Sequence, residues 1–178
     1  MNIAVYCSAK NNIPEEYKNL GVELGTWIAE HKHTLVYGGA TGGLMTTTSN
    51  AVKEHGGKVI GIVPDRIIRA GRQASNCNKL YIVKSMAMRK QLMRRKADII
   101  ICLPGSYGTL DEMFDVIASG TVSEHRKPLY ILNYNGFYNG LLTQIAHMKK
   151  LRFLPQEEFY KPCFVDTLEQ LFTELTKY

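Results

Sequence analysis

The segment Pro104-Gly105-Ser106-Tyr107-Gly108-Thr109-Leu110-Asp111-Glu112 holds a glycine turn, a threonine and a carboxylate within a short stretch. It follows the wholly apolar run Ile99-Ile100-Ile101-Cys102-Leu103 and leads into Met113-Phe114-Asp115-Val116-Ile117, the order expected of strand, turn and helix start. The backbone amides of such a turn converge with the positive end of the helix dipole, which suits an oxyanion such as phosphate. Glu112 falls three residues after Thr109, so both project from the same helix face. A carboxylate there would repel a bound phosphate. It is better suited to chemistry on the atoms next to it.

Two further segments are candidates. Gly38-Gly39-Ala40-Thr41-Gly42-Gly43 follows Leu35-Val36-Tyr37 and precedes a helix. Its bare positions let backbone approach a phosphate or ribose, and an ordinary turn needing positive φ explains them equally well. It does not follow the first strand, as a dinucleotide fingerprint does, and no Gly-Lys-Ser/Thr completes a Walker loop. Arg89, in Ser85-Met86-Ala87-Met88-Arg89-Lys90, is either one more exposed helical cation or a guanidinium that clamps phosphate or orients a carboxylate. The five histidines show no metal-ligand spacing, so no metal is expected. No Gly-x-Ser-x-Gly elbow points to a serine hydrolase.

The elements that must position these residues alternate along the whole chain. Strands are predicted at Ile3–Cys7, Thr34–Tyr37, Val59–Val63, Leu80–Val83, Ile99–Leu103, Leu129–Leu132 and Cys163–Val165. Several are apolar throughout, as parallel strands covered on both faces must be. A first helix should start at Pro14, with Asn12 as a cap, and run through Tyr17, Leu20, Leu24, Trp27 and Ile28. Others are predicted at 44–55, 85–96, 109–119, 138–149 and 168–176. The expected fold is therefore α/β, a doubly wound, mostly parallel Rossmann-like sheet with helices on both faces, formed by residues 1–178 as one domain. Ligands of such sheets bind beyond the carboxyl ends of the strands, where strand order reverses. The conspicuous turns fall at those ends.

Composition narrows the class. The 178 residues are 45% hydrophobic, with no apolar run long enough to span a bilayer. Four cysteines form no Cys-x-x-Cys pair, which favours free thiols in a reducing cytoplasm. The net charge is +6, and from Arg66 to Lys96 there are ten Lys or Arg and no Asp or Glu. That stretch reads as a solvated face or as a field that draws in an anion. Without interleaved exposed aromatics it is a poor single-strand platform, so a small phosphorylated ligand is expected rather than nucleic acid.

Taken together, Pro104 to Glu112, Ser85 to Lys90 and Gly38 to Met45 resemble the Pro-Gly-Gly-x-Gly-Thr-x-x-Glu, Ser-Met-x-x-Arg-Lys and glycine-loop motifs of the LOG (Lonely Guy) family. The likeness continues through Val59–Pro64 and Asn135–Leu142. It implies hydrolysis of the N-glycosidic bond of a purine nucleoside 5′-monophosphate, AMP or an N6-modified AMP, releasing base and ribose 5-phosphate. It maps the catalytic pair to Arg89 and Glu112. It maps the phosphate-binding backbone to Gly105, Ser106, Gly108 and Thr109, and Gly38, Gly39 and Lys90 are expected as further phosphate or nucleotide contacts. It further implies a homodimer or an assembly of dimers with no cofactor, the helices carrying Arg89 and Thr109 contributing to the contact. The older family label, lysine decarboxylase, fits poorly, because pyridoxal chemistry needs a Schiff-base lysine in a full cofactor site. A different class of function is a nucleotide-binding or carrier module of the same fold without turnover. Ser106 stands at the second hallmark glycine, where a positive φ would cost about 1–2 kcal/mol. Ala40, Thr46, Ala87 and Ser8-Ala9-Lys10 are further departures from the pattern.

Overall fold

Seven short strands, each followed by a helix or an irregular connection, lie side by side and all run parallel in a computed structural model that describes residues 1–155 and 157–178. In chain order the elements are β1 (Asn2–Tyr6), α1 (Glu15–Glu30), β2 (Thr34–Tyr37), α2 (Gly43–Glu54), β3 (Lys58–Pro64), α3 (Asp65–Arg69) and β4 (Lys79–Val83). They continue through α4 (Met86–Lys96), β5 (Ile99–Cys102), α5 (Tyr107–Thr121), β6 (Leu129–Leu132), α6 (Asn139–Lys150), β7 (Cys163–Val165) and α7 (Leu168–Leu175). The sheet order is β4-β3-β2-β1-β5-β6-β7. The chain winds outward from β1 to the β4 edge, then returns through α4 to β5 on the other side of β1. That return makes the gap between β1 and β5 the switch point, with Val5 opposite Tyr37 and Tyr6 opposite Cys102 in the register.

The alternation of side chains along each strand divides the core in two. Ile3, Val5, Leu35, Tyr37, Ile99 and Ile101 face a layer that includes Leu24, Trp27, Ile28, Leu44, Val52 and Leu171. Ala4, Tyr6, Val36, Ile100, Cys102 and Ile131 face Met93, Met113, Val116 and Tyr138. Burial on both faces explains why these strands read as continuous apolar runs.

α4 is the exception to apolar packing, burying only Arg89 and Met93. Ion pairs to α5 and the turn after it hold its outer side: Lys90 to Asp111 at 2.7 Å and Asp115 at 3.6 Å, and Arg94 to Asp115 and, beyond the helix, to Glu124 at 3.0 Å. Three of the ten cations of the basic stretch, Arg89, Lys90 and Arg94, are thus paired with acids of the following helix. Three expectations need correction. Asn12 does not cap α1, whose N-cap is Pro14 with no side-chain bond. α5 starts two residues earlier than its pattern suggested. The five-residue α3 has no counterpart in the sequence reading, because it is too short to show a helical period.

The α1–α2 contact depends on missing side chains. A Cβ on Gly25 would lie 2.5 Å from the Thr48 carbonyl oxygen, and one on Gly21 2.4 Å from Thr47 Oγ1. Because the Gly25 obstacle is backbone, Gly25→Ala should destabilise by about 1–3 kcal/mol through overpacking, despite alanine's better helix propensity. Urea unfolding measures it, and an unchanged or raised midpoint would contradict this packing.

Candidate active site

The ends of β2, β3, α4 and α5 meet around one buried ion pair. The guanidinium of Arg89 donates from Nε to the Ile62 carbonyl at 3.1 Å and from Nη1 to Glu112 Oε1. Both residues are almost wholly enclosed, Arg89 5% and Glu112 3% exposed. Arg89 can lie flat there because Gly38 has no side chain, as a Cβ would sit 1.8 Å from Nη2. Among the described residues, Nη2 and Glu112 Oε2 have no hydrogen-bond partner, so each partner keeps one polar atom for another use.

Burial and the Glu112 carboxylate act together on groups at the switch point. Burial pushes the thiols of Cys7 and Cys102 and the phenol of Tyr6 upward, and Glu112 is the next cause for all three. These residues end β1 and β5 or directly follow β1. Burial likewise raises Glu112 above its ordinary 4.5, while Arg89 pulls it back. Desolvation disfavours the charged form and the guanidinium favours it. Tyr6 adds a buried hydroxyl without a partner among the described residues. Nothing in the sequence marked it, since it reads as one more strand residue.

The anion loop lies one turn away on the same helix. Ser106, Tyr107 and Gly108 are exposed, whereas Thr109 is buried on the inward face with Glu112. The amides of Ser106, Gly108 and Thr109 stand in the first turn of α5, with no backbone acceptor among the described residues. Ser106 has φ −99°, so the serine adopts the loop without the strain that a left-handed glycine site would impose. Gly105 has a different use. A Cβ there would strike Thr109 Oγ1 at 2.1 Å.

A cleft of about 400 Å³ opens beside this loop, lined by Ser8, Lys10, Ile13, Pro14, Tyr17, Leu44, Pro104, Gly105, Ser106 and Phe137. That volume is in the range of small-ligand sites. Arg89 and Glu112 do not line it. Both are buried, with Arg89 against Gly38.

The remaining candidates are engaged elsewhere. Lys90 is held by Asp111 and Asp115 on the outside of α5. Gly39, at φ +65°, packs against the backbone of Gly61 and Ile62 rather than facing an opening. The tighter turn is Gly42-Gly43, at φ +117° and +46°. Its amides are taken by Thr46 Oγ1 at 2.7 Å and Asn11 Oδ1 at 2.9 Å, so Thr46 gives the loop an internal acceptor. No cluster of three or more His, Cys, Asp or Glu is gathered for a metal among the described residues.

Comparison with known proteins places this arrangement in a family. Residues 45–175 match the family model described as possible lysine decarboxylase. The cytokinin riboside 5′-monophosphate phosphoribohydrolase of Rhodococcoides fascians is 37% identical over 147 residues, 82% of this chain and 74% of that protein. The phosphoribohydrolase LOG of Oryza sativa subsp. japonica is 34% identical over 99% of this chain and 73% of its own length. A relative of that description from Arabidopsis thaliana is 38% identical over 80% of this chain, which spans 66% of it. Among solved structures, a structural-genomics target superposes with a TM-score of 0.79 at 22% identity, covering 99% of both chains. The Moco carrier protein of Chlamydomonas reinhardtii superposes with 0.71 at 17% identity, covering 99% of this chain and 95% of that one. At such identities these structures speak for the fold alone.

The ion pair carries a stability signature. Arg89→Met leaves a buried carboxyl without its counter-charge, which costs about 3–5 kcal/mol when the group is ionised. A carboxyl whose folded pKa lies above its unfolded value holds its proton longer in the folded state, so stability falls as pH rises from 4.5 through the folded value. Arg89→Met should therefore lose most stability at pH 8 and much less at pH 5. The double variant Arg89→Met/Glu112→Gln should lose that pH dependence. Urea unfolding at both pH values decides it, and an equal loss at both would contradict the buried pair.

Proposed function

This chain belongs to the family of the LOG cytokinin riboside 5′-monophosphate phosphoribohydrolases, and from that premise we propose how its residues do the family's work. The reaction is hydrolysis of the N-glycosidic bond of a purine nucleoside 5′-monophosphate, AMP or an N6-substituted AMP. Water adds at the anomeric carbon and the C–N bond to the base breaks, giving free base and ribose 5-phosphate. The observation that supports this most is the enclosed Arg89–Glu112 pair, set one helical turn inside an open α5 N-terminus.

Phosphate sits on the amides of Ser106, Gly108 and Thr109, where the helix dipole adds to the attraction. Anchoring a group remote from the bond that breaks supplies binding energy for placing the anomeric carbon. Departure of the base builds positive charge on the ribose ring, as in glycoside hydrolysis. Glu112, ionised and held at Oε1 by Arg89, stabilises that charge through its free Oε2. Arg89 is the positioning partner that keeps the carboxylate charged and aimed, and its free Nη2 faces the bare Gly38. Lys90 braces α4 against α5 and leaves phosphate to the backbone.

Residues 1–178 act as one catalytic unit, and the substrate is a small nucleotide rather than nucleic acid. No helix among the described residues is long and apolar enough to cross a membrane. Four free cysteines, with Cys7 and Cys102 buried, suit a reducing cytoplasm. The functional assembly is a homodimer formed through the α4–α5 side. Met88 on α4 and Tyr107 at the start of α5 are 46% and 90% exposed, large apolar side chains left open to solvent.

Incubation with AMP and N6-substituted AMP, followed by chromatographic resolution of base and ribose 5-phosphate, tests the activity. Glu112→Gln is expected to lower kcat/KM by about 10²–10⁴-fold, the range for loss of one positioned acid or base. Tight AMP binding without release of base would contradict hydrolysis. For the assembly, sedimentation at low concentration should give a species of twice the 20.1 kDa chain mass, and monomer alone would contradict the dimer.

A further inference from the structure

The connection from β6 to α6 reaches across the sheet end to the anion loop. Tyr138, 4% exposed, donates its hydroxyl to the Leu103 carbonyl at 2.9 Å, thirty-five residues away in sequence. Two residues on, Gly105 opens the anion loop. Leu103 and Gly105 flank Pro104, which has no N–H and cannot extend the ladder from β5. Leu103 is itself the last residue tied to β1, through its amide on the Tyr6 carbonyl at 2.9 Å. The phenol therefore takes over where the sheet's own hydrogen bonds end.

Tyr138 is in turn fixed by its own connection. Its amide donates to Asn133 Oδ1 at 2.7 Å. Asn133, 6% exposed, donates its Nδ2 to Asn139 at 3.0 Å and to Asp166 at 3.2 Å. Buried polar groups with every bond made hold one geometry, because any displacement leaves a desolvated donor or acceptor unpaired. The rigid end of β6 thus carries a single hydroxyl to the entrance of the loop.

We infer that Tyr138 is a positioning residue for phosphate: its hydroxyl sets the path of Leu103-Pro104-Gly105 and with it the aim of the amides at the start of α5. The inference rests on the phosphate reading of that loop given above.

Tyr138→Phe removes the hydroxyl and keeps the ring in its packing. Ribose 5-phosphate, titrated calorimetrically into the full chain, is the probe, alongside kinetics on AMP. The dissociation constant of ribose 5-phosphate and the KM for AMP should each rise roughly three- to tenfold, the equivalent of one net hydrogen bond, while kcat stays within about twofold. Tyr160→Phe is the control. Tyr160 is also buried and donates to a main-chain carbonyl, that of Lys127 at 2.7 Å, on a turn away from the loop. It should lose comparable stability and leave both constants unchanged. Tyr138→Phe with stability lowered but both constants at wild-type values would overturn the inference, as would equal weakening in Tyr160→Phe. Wild-type protein that binds ribose 5-phosphate but releases no base would overturn the hydrolytic reading and leave this one standing. Wild-type protein that binds neither ligand would overturn both.

Discussion

A carboxylate and a guanidinium shut away from water at the end of a sheet constrain everything around them. Arg89 and Glu112 come from different helices, and the charge each carries is tolerable in that enclosure only because the other is there. Their meeting requires a glycine at position 38, a free carbonyl at Ile62, and α4 laid back across the sheet from its β4 edge to its centre. Ion pairs between Lys90, Arg94 and the acids of α5 hold the two helices in register on the outside. A well-packed apolar pair would serve stability as well. In the proposed reaction the value of this one is that it sets a carboxylate near the switch point, where parallel sheets admit ligands.

The departures from the LOG pattern become intelligible around that constraint. Ser106 replaces a glycine without strain, because its φ is negative. Thr46 fills its position with a hydroxyl that accepts from Gly42. Ser8 accepts from the Lys10 amide at 3.1 Å and, through its carbonyl, from Met45, which ties the first turn to α2. Two loops at the strand ends are thus internally bonded, while the amides of Ser106, Gly108 and Thr109 have no backbone acceptor among the described residues. Ala87 remains without a structural explanation.

Much of the architecture was legible because parallel strands covered on both faces must be apolar, and Ile99 to Leu103 or Leu129 to Leu132 admit little else. Strand order was accessible only as a class, since no local signal says that β5 returns beside β1. The pairing of Arg89 with Glu112 was not written in spacing. Twenty-three residues and a strand separate them, and only folding brings them to one point. Gly38 showed itself as a bare position, but a glycine does not reveal what approaches it, and here that is an arginine of the same chain. Tyr6 left no trace, and Tyr138 showed only as one residue of the Asn135–Leu142 likeness. A tyrosine in an apolar run looks like core, and the hydroxyl that matters is a property of its neighbours.

The decisive measurement is a crystal structure of Glu112→Gln soaked with AMP, a variant in which turnover no longer removes the ligand. The expected result is phosphate bound by the amides of residues 106, 108 and 109, with the anomeric carbon facing residue 112 and the Arg89 guanidinium still on the Ile62 carbonyl. Phosphate seated instead at Gly42-Gly43, or a ribose turned away from residue 112, would contradict the assignment of that carboxylate to the glycosidic bond.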